Sequence, residues 1–405
     1  KNRITIINDD VLRIFANILD DSLDWQSARL MTLYTEDLIK VLKHFYDCKY
    51  RIKDCASEIC VSMLWDETNA QKNGIIKRDV HFGNLHTTIL SGAHIGTSNP
   101  LFNCSNANCS GNNDNTSIDL HNISDSYIQR SNYSPASDDS TYLSSSPKSE
   151  WGEYYVNMYR IIARKMIDIE GEKTLMAALI PPKVGHTNGL IGFAFKDLQK
   201  CMIALGTFNS LPIDFFVKVC GRGNFYNTTA DMLPMFEYSD LVAELVCRAA
   251  LLNCLTDNYS IIWEKIYDER FNAMKWSKDD SRLKDSFSAL NCKWTHNTPL
   301  RDDYSRRQAL VENDVIVAML LGLSLQELLS IYRVQFPILQ QHEKDTFYDA
   351  NGRIVFAKNN ALTGVGFDRK EWEGNVKGAM DGMVFTREIE DDTMPGGPVK
   401  RTIEY

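Results

Sequence analysis

The stretch NSLPIDFFVKVCGRGNFYNTTADMLP, residues 209–234, decides how the middle of the chain is interpreted. Residues 213–219 form an apolar run rich in Phe and Val, which is typical of a buried strand. Gly221 and Gly223 then bracket Arg222, which indicates a tight turn with positive backbone angles. Such a turn could also cradle a phosphate through its backbone N–H groups, although the third glycine of a dinucleotide site is missing. A plain strand-ending turn and a phosphate cradle therefore both stay open.

Helix and strand patterns alternate ahead of this stretch. Residues 154–167 have the spacing of a helix, and residues 175–180 form a strand-like run that a Pro-Pro pair ends. A second helical pattern covers residues 195–205. With the strand at 213–219, these patterns predict a compact α/β unit.

The two ends of the chain have mainly helical patterns. Apolar residues recur at helical spacing over residues 8–50, with Asn8 and Asp9 as possible caps. Asn351-Gly352 lies between apolar residues, which predicts a tight β-hairpin. C-terminal helices are predicted at residues 241–255, 262–271, 306–321 and 325–334, with Gly322 and Pro337 as breaks.

Between residues 99 and 149 the chain is rich in Asn, Ser and Asp. This composition disfavours regular elements and buries little apolar surface. The segment is interpreted as long surface loops. A flexible linker is one form they could take, and a loop layer crossing the surface of the fold is the other.

These patterns predict an α+β fold with a helical N-terminal entry, a central mixed α/β unit and a mainly helical C-terminal half with a small β-hairpin. The predicted domains are listed here by residue: a helical or mixed N-terminal module at 1–98, a loop-rich connection at 99–150, the α/β core at 151–238, and a helical module at 239–405 with its hairpin near 347–357.

Composition limits the class of protein. The 405 residues are 44% hydrophobic and contain no run of about 18 apolar residues and no secretory leader pattern, so we expect a soluble, cytoplasmic protein. Because the sequence begins without Met, we expect it to be part of a longer protein. Its ten cysteines are scattered, which favours reduced thiols. Cys104 and Cys109 have ligand spacing, but no second pair follows, so no metal site is predicted.

The net charge of -9 argues against a wholly basic nucleic-acid coat. The middle of the chain differs, since residues 151–230 hold nine Lys or Arg against six acids. A difference of three charges is also ordinary surface scatter. Charge therefore permits DNA binding in the middle of the chain without showing it.

Motifs for catalysis on DNA are incomplete. Adenine methylation needs a glycine-rich turn after a strand and an Asn/Asp-Pro-Pro-Tyr/Phe loop, and residues 99–102 (NPLF) only approach the second motif. A metal-dependent nuclease needs an Asp followed by Asp/Glu-x-Lys, and Asp349 with Asp368 and Lys370 has that order. Since such pairs arise by chance among 53 acids, the nuclease stays an alternative.

A longer resemblance is carried by four regions of the chain. Residues 204–234 resemble the "LNS...DF..R...G...N......LP" signature of type IIG restriction-modification enzymes and related phage-defence (BREX- and DISARM-like) adenine-N6 DNA methyltransferases. Residues 159–189 resemble the "R......N.RT...A.IP" segment of the same bacterial family, with Glu172 in place of the usual Asn. Residues 306–367 resemble its tail. The loop-rich segments from residue 65 to 136 resemble its approach to the recognition domain.

This resemblance implies a target-recognition region that grips double-stranded DNA beside a catalytic methyltransferase domain of the same parent chain. S-adenosylmethionine is then expected in the parent protein and no cofactor in this fragment. The resemblance implies no catalytic residue here. Its DNA-binding residues would be Lys183, His186, Thr187, Asn188, Lys218, Arg222, Gly223 and Asn224.

Two alternatives remain beside DNA recognition. One is the magnesium-dependent nuclease fragment around Asp349 and Lys370, and the other is a helical protein-docking module whose acidic surface avoids DNA. Plasmid cleavage would support the first. Absence of duplex binding at low salt would support the second.

Overall fold

The computed structural model describes residues 6–22, 24–31, 33, 35–112, 114–358, 365–380 and 382–405. Helices and short antiparallel sheets are both present, which confirms the predicted α+β class. The helices are α1 Asp9–Asp20, α2 Glu36–Asp47, α3 Glu67–Lys72, α4 Asp139–Ser144, α5 Leu198–Phe208, α6 Leu211–Val219, α7 Asn227–Ala230, α8 Asp240–Asn253, α9 Ser260–Ile266, α10 Asp303–Leu320, α11 Leu325–Gln335, α12 Pro337–Lys344 and α13 Arg369–Glu371. The strands are β1 Ile59–Ser62, β2 Ile76–His81, β3 Ile89–Leu90, β4 Asn103–Ser105, β5 Asn115–Ser117, β6 Ser131–Pro135, β7 Arg160–Arg164, β8 Ala177–Ile180, β9 Gly185–His186, β10 Leu190–Phe195, β11 Thr346–Tyr348, β12 Ile354–Ala357, β13 Thr386–Asp391 and β14 Val399–Glu404.

A four-stranded antiparallel sheet with the order β1-β10-β7-β8 forms the centre of the fold. The helix predicted at residues 154–167 is wrong, because this segment supplies strand β7 after a short 3-10 turn at Tyr155–Asn157. Strand β7 lies between two neighbours and its residues 160–163 are buried on both faces. A strand buried on both faces lacks the alternation that would have identified it. The strand predicted at 175–180 is confirmed as β8.

The run at residues 213–219 is helical, so the predicted strand there is wrong. Helix α6 begins after Ser210 and has Pro212 in its first turn, where proline is favoured because the N–H it lacks has no partner in the helix. Every residue of α6 except Lys218 is buried. A helix that is buried all round shows no 3.6-residue period, and Phe, Val and Ile then resemble a strand.

Side chains from two helices complete the outer edge of the sheet. Strand β8 is an edge strand, so alternate N–H groups point away from β7 and need other partners. Asn209, at the end of α5, accepts the N–H of Ala177 at 3.2 Å. Asn253 of α8 accepts the N–H of Leu179 at 3.0 Å. The helices thus close the edge that another strand would otherwise cover.

Asp214 extends this arrangement to the segment before β8. Its buried carboxylate accepts the backbone N–H of Thr174 at 2.9 Å and that of Leu175 at 2.6 Å. Lys173 is also buried, and its Nζ lies 4.0 Å from Asp314 of α10. Asn209 and Asp214 are therefore structural ties that join α5 and α6 to β8 and the segment before it.

One hydrophobic core joins the sheet to helices from both ends of the chain. It includes Phe15 of α1, Phe45 of α2, Phe193 of β10, Phe216 of α6 and Trp263 of α9. Helix α1 begins after Asn8, whose side chain accepts the N–H of Val11, as predicted for a cap. The predicted helices α8, α10 and α11 are confirmed, while the domain boundaries stay a prediction.

The Asn/Ser-rich segment packs on the fold as a loop layer, which excludes the flexible-linker alternative for its described part. Strand β6 pairs with β2, and its residues 131–134 are buried. His94 is also buried and joins two loops, because its ring contacts the hydroxyls of Ser91 at 3.0 Å and Ser105 at 2.9 Å. Burial lowers the pKa of His94 to about 4.

The predicted hairpin is confirmed as β11 and β12. Gly352 has φ +81° at its turn, and a Cβ there would come within 2.6 Å of Asp302, so only glycine fits. In the described residues no single helix is long and apolar enough to span a membrane. Helices α5 and α6 meet that test only as a pair, and they are bent by 69° at their junction.

Candidate nucleic-acid interface

Arg222, in the loop after α6, is predicted to face DNA, but its guanidinium forms hydrogen bonds within the protein. The guanidinium of Arg222 donates to Thr228 at 2.9 Å and to the backbone carbonyl of Leu19 at 3.1 Å. It therefore ties this loop to the last turn of α1, where carbonyls lack helical partners. Arg222 therefore has a structural role in this loop, its contact with phosphate stays a prediction, and Gly223 and Asn224 lie beside it at the surface.

Lys218 also contacts other parts of the protein. Its Nζ donates to the carbonyl of Gln335 at 2.8 Å and lies 5.0 Å from the ring centre of Phe336. Burial lowers the pKa of Lys218. These contacts attach α6 to the end of α11, and the contact of Lys218 with DNA stays a prediction.

His186 and Thr187 are fully buried, which contradicts their predicted contact with base edges. The ring of His186 contacts the hydroxyl of Tyr155 at 3.0 Å, and the N–H of Thr187 donates to Leu90. Burial and the nearby charge of Arg160 lower the pKa of His186 to about 3. His186 lies in β9, which pairs in parallel with β3, and Thr187 continues this pairing. The pairing places both residues in the interior.

Lys183 is the one predicted cation that the fold leaves exposed in the loop before β9. Its backbone has φ +78°, a conformation that non-glycine residues rarely adopt. Its N–H donates to Val156. Asn188 is half-buried and donates to Asp66 at 3.0 Å. Of the predicted set, Lys183 is therefore the charge best placed to meet a phosphate.

A large polar concavity lies elsewhere, in the C-terminal half. It is a groove of about 490 Å³ between the irregular segment at residues 282–302 and the β11–β12 turn. We call it the cationic groove because four of its lining residues are Lys or Arg: Arg282, Lys284, Arg301 and Arg353. None of the residues predicted from the sequence to bind DNA lines this groove.

Arg282 is held in place by neighbouring side chains. Its Nε and one terminal nitrogen donate to Asp280 at 2.9 and 2.7 Å. The guanidinium also lies 3.8 Å from the ring centre of Tyr304. These interactions, led by the hydrogen bond from Arg282, hold the pKa of Asp280 well below its usual range. The second terminal nitrogen makes no hydrogen bond with the described residues and remains available.

Lys284 and Arg301 form no ion pair with a carboxylate among the described residues, and Asp125 interacts with the charge of Arg301 from a greater distance. Lys284 is exposed. Arg301 donates only to backbone carbonyls, at 3.0 Å to Leu255 and 3.3 Å to both Leu120 and His296. Arg353, by contrast, donates to Asp119 at 3.0 Å.

Three acids also line the groove, and two of them accept hydrogen bonds from backbone N–H groups. Asp302 accepts the N–H of Ser305 at 2.7 Å. Asp349 accepts the N–H groups of Asn351 and Arg353 at 2.8 and 2.9 Å. Glu404 is the remaining acid of the lining. The lining therefore holds four cationic and three acidic side chains, and the cations that could attract an anion are Lys284, Arg301 and the free side of Arg282.

A smaller polar cavity of about 80 Å³ adjoins the cationic groove and shares His121 and Arg301 with it. Asp303 lines this cavity, and one of its oxygens accepts the N–H of Ile354 at 2.9 Å. Burial raises the pKa of Asp303 to about 6. The cavity exceeds the roughly 10–15 Å³ that one water needs, so it can hold several.

The raised pKa of Asp303 predicts how the free energy of unfolding depends on pH. An unfolded Asp ionises near pH 4, so between pH 4 and about 6 the folded chain binds the extra proton and stability falls as the pH rises. Asp303→Asn keeps an acceptor for Ile354 and removes this titration. We expect its stability relative to the wild type to increase by roughly 2 kcal/mol from pH 4 to pH 7. Urea unfolding of both proteins across this range is the measurement, and parallel curves would contradict the expectation.

The residues of the nuclease alternative have local structural roles. Asp349 shapes the hairpin turn, and Asp368 caps α13 by accepting the N–H of Glu371 at 2.8 Å. Within the described ranges, no three His, Cys, Asp or Glu side chains converge closely enough to hold a metal ion. All ten cysteines are unpaired, including Cys104 and Cys109.

A sequence signal for the cationic groove existed in the length of one connection. Between the end of α9 at Ile266 and the start of α10 at Asp303, the only helical piece is the 3-10 turn Glu269–Ala273. Long irregular connections in compact folds are often functional. Comparison with known proteins adds nothing to this picture, because no family model matches the chain and no curated protein is significantly similar to it.

Proposed function

We propose that this chain is the DNA-recognition portion of a bacterial adenine-N6 methyltransferase or restriction-modification enzyme, and that its cationic groove contacts the DNA backbone. The resemblance of residues 159–234 to the recognition region of such enzymes supports the biological role. The proposed position of the interface rests on the cationic groove. Lys284 and Arg301 line its volume of about 490 Å³ and form no ion pair with a carboxylate in the described chain.

Phosphate contacts position a protein on a duplex, and cations free of carboxylates are suited to that work. Lys284 is exposed and can reach outward, while Asp280 orients Arg282 so that one nitrogen stays free. Lys183 in the loop before β9 is a second, separate contact of the same kind.

We further propose that different domains of a longer protein carry out catalysis and DNA binding. A catalytic domain elsewhere in the parent chain would bind S-adenosylmethionine and take the adenine out of the stack, while this region holds the duplex. Such a protein works in the cytoplasm, where bacterial DNA lies. The phage-defence or restriction role follows from the resemblance alone.

A duplex-binding assay tests the proposal. Fluorescence anisotropy with a labelled duplex, measured over a salt series, compares the wild type with Arg282→Gln/Lys284→Gln. We expect affinity to fall about tenfold and the slope of log K against log salt to decrease by about 2, because two phosphate contacts are lost.

The matched control is Lys49→Gln/Lys72→Gln, which removes the same charge from exposed lysines outside the groove. It should bind as the wild type does. The proposed function fails if the wild type does not bind duplex at low salt. The groove is the wrong surface if the control loses as much affinity as the groove variant.

A further inference from the structure

A second groove, of about 440 Å³, opens beside the β11–β12 hairpin and is mainly apolar. We call it the aromatic groove. Several of its apolar side chains are unusually open to solvent: Phe347 is 42% exposed, Met383 51%, Val384 63% and Met380 76%. Clustered apolar exposure of this kind marks a binding surface more often than a single exposed side chain does.

A stack of aromatic rings supports one wall of this groove. Phe356 and Trp372 lie parallel, with ring centres 5.0 Å apart and an interplanar angle of 3°. Phe347 follows, its ring centre 4.8 Å from that of Trp372. Because Phe347 is the exposed member of this packed set, a further planar ring can stack on it without displacing the others.

The aromatic groove is continuous with the cationic groove. The two share Asp349, Asn351 and Glu404 in their linings. A chain of ring contacts also joins them: Arg282 lies over Tyr304, and Tyr304 meets Tyr348 of the aromatic groove with ring centres 5.1 Å apart. A ligand can therefore place anionic groups on one side of this junction and flat apolar groups on the other.

We infer that the aromatic groove binds unpaired nucleotides of the DNA, whose bases stack on Phe347 while the adjoining phosphates lie along Arg282 and Lys284 of the cationic groove. This inference rests on the proposed function and specifies which form of DNA the surface prefers. A cationic track beside exposed aromatic rings suits a single strand, since every unpaired base offers a face for stacking. In an intact duplex those faces are covered by neighbouring base pairs. An apolar peptide would use the aromatic groove and leave the adjoining cations without a partner.

The experiment compares two DNA probes with the same duplex, one blunt and one carrying a short single-stranded tail with 2-aminopurine. The wild type is expected to bind the tailed probe about tenfold more tightly and to change the 2-aminopurine fluorescence through stacking. Phe347→Ala should lose this preference and the fluorescence change, yet bind the blunt duplex as the wild type does. Phe347→Tyr should restore both.

Val399→Ala is the control, because Val399 is a similarly exposed apolar residue outside the groove lining. Thermal unfolding checks that each variant is folded. Equal binding of both probes by the wild type, or an unchanged preference in Phe347→Ala, overturns the inference and leaves an apolar peptide as the occupant to test. Neither result affects the proposed function, which fails only if blunt duplex is not bound.

Discussion

Asp214→Ala is expected to lower the free energy of unfolding by about 4 kcal/mol, the largest stability effect we predict. The variant leaves the buried N–H groups of Thr174 and Leu175 without their acceptor, and each such loss costs roughly 1–3 kcal/mol. It also removes one of the two carboxylates near buried Lys173, whose remaining neighbour is Asp314 at 4.0 Å. An uncompensated buried charge adds to the penalty.

Urea unfolding followed by far-UV circular dichroism measures this effect. Asp279→Ala is the matched control, because Asp279 is exposed and forms no hydrogen bond or ion pair with described residues, so its loss should change stability by less than about 0.5 kcal/mol. A small effect of Asp214→Ala would mean that water or a shifted side chain replaces the carboxylate. The structural role given to the 209–234 stretch would then be wrong.

Arg160→Met is expected to cost about 3 kcal/mol and to loosen the loop that carries Lys183. Arg160 is fully buried and donates to the carbonyl of Tyr155 at 2.8 Å, to Pro181 at 3.4 Å, and to Val184. Methionine fills a similar volume but leaves these carbonyls without a donor. The loop carbonyls of Pro181 and Val184 flank Lys183, so losing both ties removes the support for its strained backbone.

Hydrogen exchange across residues 181–190, together with urea unfolding, measures both parts of this prediction. Arg13→Met is the control, since Arg13 lies on the exposed face of α1. If Arg160→Met unfolds like the wild type with unchanged exchange in this loop, Arg160 does not hold it. Reduced duplex binding by Lys183→Gln in an otherwise stable chain would show separately that the loop contacts DNA.

The outer helices could be predicted because their sequences carry both a period and end signals. Helix α11 begins with Ser324 and Glu327 in a capping box, and Gly322 ends the preceding helix with φ +75°. The Asn351-Gly352 turn is a similarly local signal. In these elements one face is buried and the other is exposed, so the pattern is visible in the sequence alone.

The central elements could not be predicted in the same way. Strand β7 and helix α6 are buried on nearly every side, and uniform burial removes the period that separates a strand from a helix. Helix α6 did carry a start signal in Ser210 and Pro212, but the Phe and Val content favoured a strand. Tertiary packing decided both elements against that local preference.

The burial and contacts of the residues predicted to bind DNA also depend on tertiary packing. His186 and Arg222 are polar residues in glycine-containing loops, which favours exposure, yet pairing with β3 buries the first and the end of α1 binds the second. Lys284 and Arg353, by contrast, come from segments far apart in the sequence and meet in one groove. No pattern within a single segment could bring them together.

For this protein, the sequence by itself determined the α+β class, the outer helices and the hairpin, since caps, turns and one-sided burial act over a few neighbouring residues. Tertiary packing decided that the 209–234 stretch is a buried helix and structural loop, and that the cations of the concave surface come from Arg282 onward, beyond this stretch. Burial and the meeting of distant side chains depend on the packing of the whole chain. Those two properties separate Arg222, whose guanidinium hydrogen-bonds within the protein, from Lys284, which is exposed in the groove.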